Sequence, residues 1–408
     1  MNVEIHPHPL QGCIQVPTSK SLAHRAIICA ALAKGTSKIF NVSLSKDIQA
    51  TIASMQSLGA HIQIQEDCCI VEGIQNWQSG VCDCNESGST LRFLIPIVAT
   101  QSISCDFTGK HSLFSRPMTI YKSLFQSQNI DWIQEANHIH VHGGLHADVF
   151  EIPGNISSQF ISGMLMACPL MEKDSVLKIL PPFESKSYVD LTIYMLKQFE
   201  IQIHPIDAST FVVPGNQSYS CCDYTVEGDY SQMAFFAVLG AIGHSISISN
   251  MNLSSLQGDK KILDWVQYTK KDNQIVFQKQ NLIARNFDIA DCPDLGPILC
   301  VLAAYTKGTS RLLHTRRLRY KECDRIHAME VELKKWGVDI QSDEDSITIR
   351  GQSGYEQKDT VIMHSHNDHR IAMACTVFGL CAQSSSILED AHSISKSYPN
   401  FFNDIDSL

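Results

Sequence analysis

The sequence predicts an α/β protein built from six similar units, and three observations support that prediction. The chain has 408 residues, of which 44% are hydrophobic and 18% charged, as in an ordinary globular protein of two or three domains. Apolar segments of helical length recur at a nearly constant interval along the chain. Short alternating segments and more polar helical segments fill the intervals, which is typical of mixed α/β architecture.

The six apolar segments each begin with a polar cap and continue for 10–14 residues rich in Ala, Ile, Leu and Met. They start at Ser21, Gly88, Ser157, Ser231, Asp294 and Asp368, at intervals of 63 to 74 residues. This spacing indicates six quasi-repeats, although the residues themselves differ. The helices are apolar nearly all round, so we expect each to be buried in its domain with its cap at the surface. Helix N-termini suit anions, because their N–H groups are unpaired.

Alternating patterns predict strands at residues 138–142, 338–340 and 346–349. A second, more polar helix recurs in most units. It is predicted at residues 47–58, 118–127, 188–199 and 321–336.

Charge and composition argue against several classes of function. With 42 acidic and 32 basic residues, the formal net charge is −10, which argues against a protein that coats nucleic acid. Bound anions would therefore be held by local groups of Lys and Arg. The longest apolar helical stretch, residues 234–242, is too short for a membrane span, and no signal-peptide pattern opens the chain, so we expect a cytoplasmic protein. Fifteen cysteines, many within apolar runs, predict reduced structural thiols.

Polar residues at the caps suggest anion binding. Lys20, Ser21 and Arg25 at the start of the first helix could hold a phosphate or carboxylate, although an N-cap followed by solvated cations is an equal alternative. The segments around Gly88 and around residues 157–159 read more readily as capping devices when taken alone. The segment at residues 320–325 is more suggestive, because Lys321 and Arg325 share one face of a predicted helix, although surface helices often carry such ion pairs.

Three histidines alternate on one predicted strand, namely His138, His140 and His142. A metal site there is possible, but no carboxylate lies at a convincing spacing in the sequence. An exposed polar strand face is the preferred interpretation, and no metal is expected there.

Taken together, ten motifs resemble those of the 5-enolpyruvylshikimate-3-phosphate synthase family, in the same order and over nearly the whole chain. They are Ser19-Lys-Ser-x-x-x-Arg25, Gly88-x-x-x-Arg92, Arg116-Pro117, Ser157-Ser-Gln159, Ser185-x-x-Tyr188, Glu227-Gly-Asp229, Pro293-Asp294, Lys321-Glu-x-Asp-Arg325, Asp368-His-Arg370 and Lys396-x-x-Pro399.

The resemblance implies two similar domains, each built from three βαβαββ units in an inside-out α/β barrel. It places one domain at residues 20–224 and the other at residues 1–19 plus 225–408, with two chain crossings and the active site in the interdomain cleft. It also implies an enzyme, a monomer, that transfers the carboxyvinyl group of phosphoenolpyruvate to the 5-hydroxyl of shikimate-3-phosphate, without a cofactor and without nucleic acid or membrane partners.

The resemblance assigns roles to individual residues. The residues implied in proton transfer are Lys20, Asp294 and Glu322. Those implied in binding shikimate-3-phosphate are Lys20, Ser21, Arg25, Ser157, Ser158, Gln159, Ser185, Tyr188, Asp294 and Lys321. Those implied in binding phosphoenolpyruvate are Lys20, Gly88, Arg116, Gln159, Arg325, Arg370 and Lys396. Glyphosate, which takes the phosphoenolpyruvate site in this family, is an expected inhibitor.

Some positions depart from the family pattern. Glu86 stands where many members have Asn, and Arg317 stands where some members use Asn to bind the shikimate phosphate. Both are therefore left outside the predicted site. Thr18, His24 and Ser89 are smaller departures.

Two alternatives of different kinds remain open. The related transferase that acts on UDP-N-acetylglucosamine carries a reactive Cys shortly before the Arg that matches Arg116, and residues 108–116 contain no cysteine. The second alternative is a non-catalytic paralogue that binds a phosphorylated metabolite. Loss of a proton-transfer residue would favour it, yet Lys20, Asp294 and Glu322 are all present. RNA-processing cyclases share related repeats, but this acidic chain lacks a basic stripe.

Overall fold

Two compact units make up the chain in this structure, a computed structural model that describes residues 1–128 and 130–408. The continuous unit is Thr18–Glu227, and the split unit combines Met1–Pro17 with Gly228–Leu408. None of the helices among the described residues combines the length and apolarity that a membrane span needs.

The strands and helices follow one another in a regular order. The strands up to residue 225 are β1 (Val3–Ile5), β2 (Gln11–Ile14), β3 (Thr36–Phe40), β4 (His61–Gln65), β5 (Cys68–Glu72), β6 (Gly80–Asp83), β7 (Ser104–Thr108), β8 (Asp131–Gln134), β9 (His138–His142), β10 (Val149–Pro153), β11 (Ser175–Leu180), β12 (His204–Pro205), β13 (Thr210–Val213) and β14 (Tyr224–Thr225). The later strands are β15 (Ser245–Ile248), β16 (Thr269–Lys271), β17 (Gln274–Gln278), β18 (Asn286–Asp288), β19 (Gly308–Leu313), β20 (Asp339–Ser342), β21 (Ser346–Gly351), β22 (Val361–His364) and β23 (Ser386–Glu389). The helices are α1 (Lys20–Leu32), α2 (Lys46–Ser57), α3 (Gly88–Ala99), α4 (His111–Phe114), α5 (Thr119–Ser127), α6 (Ser158–Ala167), α7 (Lys186–Gln198), α8 (Tyr230–Ile242), α9 (Ile262–Trp265), α10 (Gly296–Ala304), α11 (Arg325–Lys334), α12 (His369–Cys381) and α13 (Phe401–Asp406).

In the continuous unit, each of three four-stranded sheets starts from a parallel pair and continues with antiparallel strands. The strand orders are β14-β3-β5-β4, β6-β7-β9-β8 and β10-β11-β13-β12. Helix α3 connects the parallel strands β6 and β7, and α6 connects β10 and β11. The third parallel pair is different, because β14 comes from the far end of the unit and lies beside β3.

The split unit repeats this plan. Its strand orders are β16-β17-β15-β2, β18-β19-β21-β20 and the three-stranded β1-β23-β22. Strand β2 lies parallel to β15, although more than 230 residues separate them in sequence. Strand β1 pairs antiparallel with β23, with Glu4 opposite Ile387. The predicted βαβαββ plan is therefore present as mixed sheets closed by strands from distant parts of the chain.

The six predicted apolar helices are confirmed as α1, α3, α6, α8, α10 and α12, and they lie in the centres of the two units. Every residue of α8 from Tyr230 to Ala241 is buried. Helices α1, α3 and α6 belong to one hydrophobic core, and α8, α10 and α12 belong to the other. These helices are apolar on all faces because neighbouring helices and sheets surround them.

Two local predictions were wrong. The helix caps do not all lie at the surface, since Ser19, Ser87 and Asp368 are each at most 1% exposed. The helix predicted at residues 321–336 begins only at Arg325, because the Asp324 side chain accepts a hydrogen bond from the N–H of His327 and caps it there. The fifteen cysteines are free thiols, as predicted, and most are buried.

Candidate active site

The start of α1 positions the first predicted cations of the continuous unit. The Ser19 hydroxyl accepts a hydrogen bond from the N–H of Leu22 and fixes the first turn. Lys20 Nζ then lies 2.8 Å from Asp47 Oδ2, at the start of α2, and both side chains are less than a fifth exposed. The Lys20 ammonium is thus held in a defined position by a carboxylate that the sequence did not identify.

Arg25 lies one turn further along α1 and is buried, with 2% exposure. Its guanidinium donates to the hydroxyls of Thr192 and Ser162, and to the carbonyl oxygens of Ser21 and Tyr188. Burial lowers the pKa of Arg25 to about 10, so it remains charged at neutral pH. These bonds tie α1 to α6 and α7 and bring the predicted residues Ser21, Arg25 and Tyr188 together.

Gly88 opens α3 at a point where two arginines and an amide converge. A Cβ at this position would lie 3.1 Å from an Arg116 nitrogen, 3.2 Å from Gln159 Oε1 and 3.5 Å from an Arg92 nitrogen. Arg92 donates to Gln159 Oε1 at 2.8 Å, and Gln159 Nε2 donates to the Ser89 hydroxyl at 3.0 Å. A side chain at residue 88 would crowd these three groups, so the glycine keeps the space beside them open.

The remaining predicted residues of the continuous unit lie at two helix starts. Ser157 caps α6 by accepting a hydrogen bond from the N–H of Gln159, and Ser158 is the buried first residue of that helix. Ser185 precedes α7 in a left-handed conformation, with φ of 54°. Hydroxyls at helix N-termini suit an anionic ligand.

In the split unit, Asp294 lies among three cations. Its Oδ1 is 3.0 Å from an Arg325 nitrogen and 3.5 Å from Lys321 Nζ, and its Oδ2 is 2.8 Å from an Arg370 nitrogen. Burial alone would raise the pKa of Asp294, but the charges of Arg370, Lys321 and Arg325 outweigh it and hold the pKa well below its usual range. Asp294 is therefore ionised at neutral pH.

Arg325 is the centre of this group and is 1% exposed. Its guanidinium contacts three carboxylates: Glu322 at 2.6 Å, Asp368 at 2.7 Å and Asp294 at 3.0 Å. Burial opposes its charge, but these carboxylates raise the pKa of Arg325 well above its usual value. Asp368 also caps α12, because it accepts a hydrogen bond from the N–H of Arg370.

Arg370 and Lys396 complete the cations of the split unit. Arg370 donates to the Ser231 hydroxyl at 2.9 Å, and its Nε is buried without a hydrogen-bond partner among the described residues. Lys396 Nζ lies 2.6 Å from the carbonyl oxygen of Asn367, just before α12. We refer below to the split-unit cluster, which consists of Asp294, Lys321, Glu322, Arg325, Asp368, Arg370 and Lys396.

Several residues of this network were missed in the sequence. Asp47, Arg92 and Asp368 each contact a predicted residue directly. Arg92 and Asp368 belong to the motifs, so the motifs themselves were the available signal. The only sequence signal for Asp47 was its place in the first turn of a polar predicted helix, where acidic residues are common.

Glu86 and Arg317, the two positions left outside the predicted site, are both buried. Glu86 is 8% exposed, accepts a hydrogen bond from the Ser112 hydroxyl at 3.2 Å and lies 3.7 Å from Lys110 Nζ. Arg317 is buried and donates to the carbonyl oxygen of Ala290.

The histidine strand also differs from its prediction. Asp106 on β7 lies opposite His140 on β9, so a carboxylate does accompany the histidines. It comes from a neighbouring strand, which spacing along the chain could not reveal.

Comparison with known proteins covers the whole chain. The sequence profile of the family described as EPSP synthase (3-phosphoshikimate 1-carboxyvinyltransferase) matches residues 5–405. A Clostridium perfringens protein named 3-phosphoshikimate 1-carboxyvinyltransferase is 40% identical over 417 residues, covering 100% of this chain and 98% of that protein. A Clostridioides difficile protein of the same name is 41% identical over 426 residues, covering 100% and 97%.

Solved structures agree on the fold. EPSP synthase from Acinetobacter baumannii matches with a TM-score of 0.81 at 23% identity, covering 100% of this chain and 97% of that one. The enolpyruvyl transferase NikO from Streptomyces tendae matches with a TM-score of 0.81 at 15% identity, covering 99% and 96%. These likenesses confirm the predicted fold class, and the profile and the relatives confirm the predicted enzyme class over the UDP-N-acetylglucosamine alternative. The chain therefore belongs to the EPSP synthase family, the 3-phosphoshikimate 1-carboxyvinyltransferases of the shikimate pathway.

Proposed function

We propose that the predicted residues of both units serve one reaction, the transfer of the carboxyvinyl group of phosphoenolpyruvate to the 5-hydroxyl of shikimate-3-phosphate. The observation that most supports this proposal is the placement of Lys321, Arg325 and Arg370 around the carboxylate of Asp294. Both substrates carry phosphate and carboxylate groups. A chain of net charge −10 can hold such anions only where cations are gathered locally.

In this proposal the 5-hydroxyl oxygen bonds to C2 of phosphoenolpyruvate while its proton passes to a base. A second proton is added to the methylene carbon, which becomes a methyl group in a tetrahedral intermediate. Loss of a proton from that methyl group restores the double bond and expels inorganic phosphate. Lys20, Asp294 and Glu322 carry these protons, and each positioned acid or base contributes about 10²–10⁴-fold to the rate.

The binding roles follow the clusters. Shikimate-3-phosphate is assigned to the hydroxyls and cations at the starts of α1, α6 and α7, with Asp294 and Lys321 completing its contacts. Phosphoenolpyruvate is assigned to the position beside Gly88, with Arg116 and Gln159, and to Arg325, Arg370 and Lys396. Charge-assisted hydrogen bonds from arginine suit both phosphate and carboxylate groups. We also propose that the first domain spans residues 20–224. The protein is further proposed to be a monomer and to be located in the cytoplasm.

Substrate binding should make Asp294 a better base. An anionic substrate that draws charge from Arg370, Lys321 and Arg325 weakens their hold on the carboxylate and raises its pKa from its depressed value. We expect the acidic limb of kcat, which reports the substrate complex, to lie at higher pH than that of kcat/KM, which reports the free enzyme. Steady-state rates measured across acidic pH test this expectation. Coincident limbs, or a kcat limb at lower pH, would contradict it.

The proposed substrates are tested by phosphate release. The purified protein is incubated with phosphoenolpyruvate and either shikimate-3-phosphate or UDP-N-acetylglucosamine. We expect release only with shikimate-3-phosphate. Release with the nucleotide sugar would favour the related transferase, and binding of shikimate-3-phosphate without release would favour the non-catalytic paralogue.

Gly88→Ala should weaken the binding of phosphoenolpyruvate and of glyphosate. The added Cβ would lie 3.1 Å from Arg116 and 3.2 Å from Gln159, so these side chains must shift by a few tenths of an ångström and crowd the anion. We expect the KM for phosphoenolpyruvate to rise about tenfold, equivalent to ~1.4 kcal/mol. Glyphosate inhibition should be competitive with phosphoenolpyruvate in the wild type and weaker in the variant.

Gly243→Ala provides the matched control, because a Cβ at Gly243 meets nothing within 4 Å. Steady-state kinetics of both variants test the prediction. An unchanged KM in Gly88→Ala, or glyphosate inhibition that saturating phosphoenolpyruvate does not relieve, would remove Gly88 from the proposed site.

A further inference from the structure

The second sheet of the continuous unit brings two imidazoles and one carboxylate together at its surface. Asp106 lies opposite His140 in the antiparallel pairing of β7 with β9, and His138 is two residues away on the same face of the sheet. Asp106 Oδ1 is 2.8 Å from His138 Nε2 and 2.7 Å from His140 Nδ1. The candidate ligand atoms of the three residues all lie within 4.8 Å of one another.

Their exposure leaves these groups open to an ion from solvent. The two histidine side chains are each 28% exposed, and the Asp106 side chain is 42% exposed. Imidazole nitrogens and a carboxylate oxygen are the ligand types that Zn²⁺ and its neighbours in the first transition series accept.

We propose that Asp106, His138 and His140 form a three-ligand binding site for a divalent transition-metal ion of the Zn²⁺ class, separate from the carboxyvinyl-transfer chemistry. The ion would bridge strands β7 and β9, with water in its remaining position. The site does not depend on the proposed roles of the substrate-binding residues, because it shares none of them.

A metal ion would replace the two hydrogen bonds to Asp106. Ligand bonds of 2.0–2.2 Å in a tetrahedral site place ligand atoms about 3.3 Å apart, so the present nitrogen–oxygen distances must widen by roughly half an ångström. Partly exposed side chains can make this adjustment by small rotations. His142, next on the strand face, instead lies 2.8 Å from the Ser104 hydroxyl and belongs to a separate contact.

Binding of Co²⁺ to the full-length, chelator-treated protein tests the proposal, because tetrahedral Co²⁺ absorbs visible light and thiolate ligands add a distinct near-ultraviolet band. We expect one Co²⁺ per chain with visible absorption, no thiolate band and displacement by Zn²⁺. The variants Asp106→Asn, His138→Gln and His140→Gln should each weaken binding about tenfold or more, as loss of a ligand costs at least as much as loss of its supporting contacts.

His61→Gln is the matched control, since His61 is an exposed histidine on another strand, β4, of the same unit. It should bind Co²⁺ like the wild type. A thiolate band would assign binding to exposed cysteines such as Cys13 and Cys221 and overturn the proposal. So would wild-type affinity in any of the three ligand variants, or no Co²⁺ binding by the wild type.

Metal-dependent stability is a second measurement that does not rely on spectroscopy. A ligand that binds the folded protein raises its Tm in proportion to the logarithm of its concentration. We expect Zn²⁺ to raise the Tm of the wild type and of His61→Gln, and expect a chelator to reverse the rise. An equal rise in His140→Gln would contradict the assigned ligands. Circular dichroism without metal establishes that each variant is folded.

Discussion

Glu322→Gln is expected to lower kcat by about 100-fold or more and to change the affinity for shikimate-3-phosphate much less. Glutamine keeps the size of the side chain and can still accept the hydrogen bond from Arg325, but it cannot exchange a proton. The contact that supports this prediction is the 2.6 Å distance from Glu322 to the Arg325 guanidinium. Because Arg325 is 1% exposed, this contact is not an ordinary surface ion pair on a helix.

Glu330→Gln is the matched control for this prediction. Glu330 forms an i,i+4 ion pair with Lys334 on α11 at 2.8 Å, and the lysine is 54% exposed. Loss of this ion pair should leave kcat unchanged.

Lys20→Met should reduce both turnover and binding, because that ammonium is proposed to contact substrate as well as transfer a proton. Phosphate release and a ligand titration distinguish the variants, and a Glu322→Gln kcat within about threefold of wild type would reassign Glu322 to an ion-pair role.

Asp368→Ala is expected to destabilise the split unit by about 3 kcal/mol, because Arg325 loses the fully buried one of its three carboxylate partners while Glu322 and Asp294 remain in contact. It also removes the cap of α12, where the Asp368 side chain accepts a hydrogen bond from the N–H of Arg370. For a unit of this size we expect the unfolding midpoint to fall by about 10 °C. Asp368→Asn keeps an acceptor for the N–H of Arg370, so its unfolding midpoint should fall by less.

Asp406→Ala serves as the control, since Asp406 is exposed near the end of α13 in the same unit. Thermal unfolding followed by circular dichroism and calorimetry gives the midpoints without relying on activity. If Asp368→Ala melts like Asp406→Ala, the contact of Asp368 with Arg325 does not stabilise the unit.

The six central helices could be predicted from sequence because their signal is local. A segment such as residues 231–242 is apolar on every face, and only a central position in the core explains that composition. The motifs likewise carried the cations of the split-unit cluster. The start of α11 could not be predicted, because residues 321–324 fit a helical pattern equally well and the deciding feature is the Asp324 cap.

Contacts that join distant parts of the chain could not be predicted from the sequence for a different reason. The pairing of Lys20 with Asp47 depends on how α1 packs against α2, and that of Asp106 with His140 depends on the register of β7 against β9. Neither register nor packing angle is written in the spacing of residues along one segment. Arg25 shows the same limit, since its four acceptors belong to residues in α1, α6 and α7.

The positions of β14 and β1 have a consequence for how the chain folds during synthesis. The continuous unit is closed by its own last strand, and its two ends meet where the N–H of Ser19 donates to the carbonyl oxygen of Glu227 at 2.7 Å. It can therefore fold as soon as residue 227 has left the ribosome. The split unit must wait, because Val3 pairs with Leu388 and β1 therefore remains unpaired until nearly the whole chain is made. Strand β2 can pair with β15 once residue 248 is made, so β1 is the strand that stays unpaired through most of translation and open to wrong pairing.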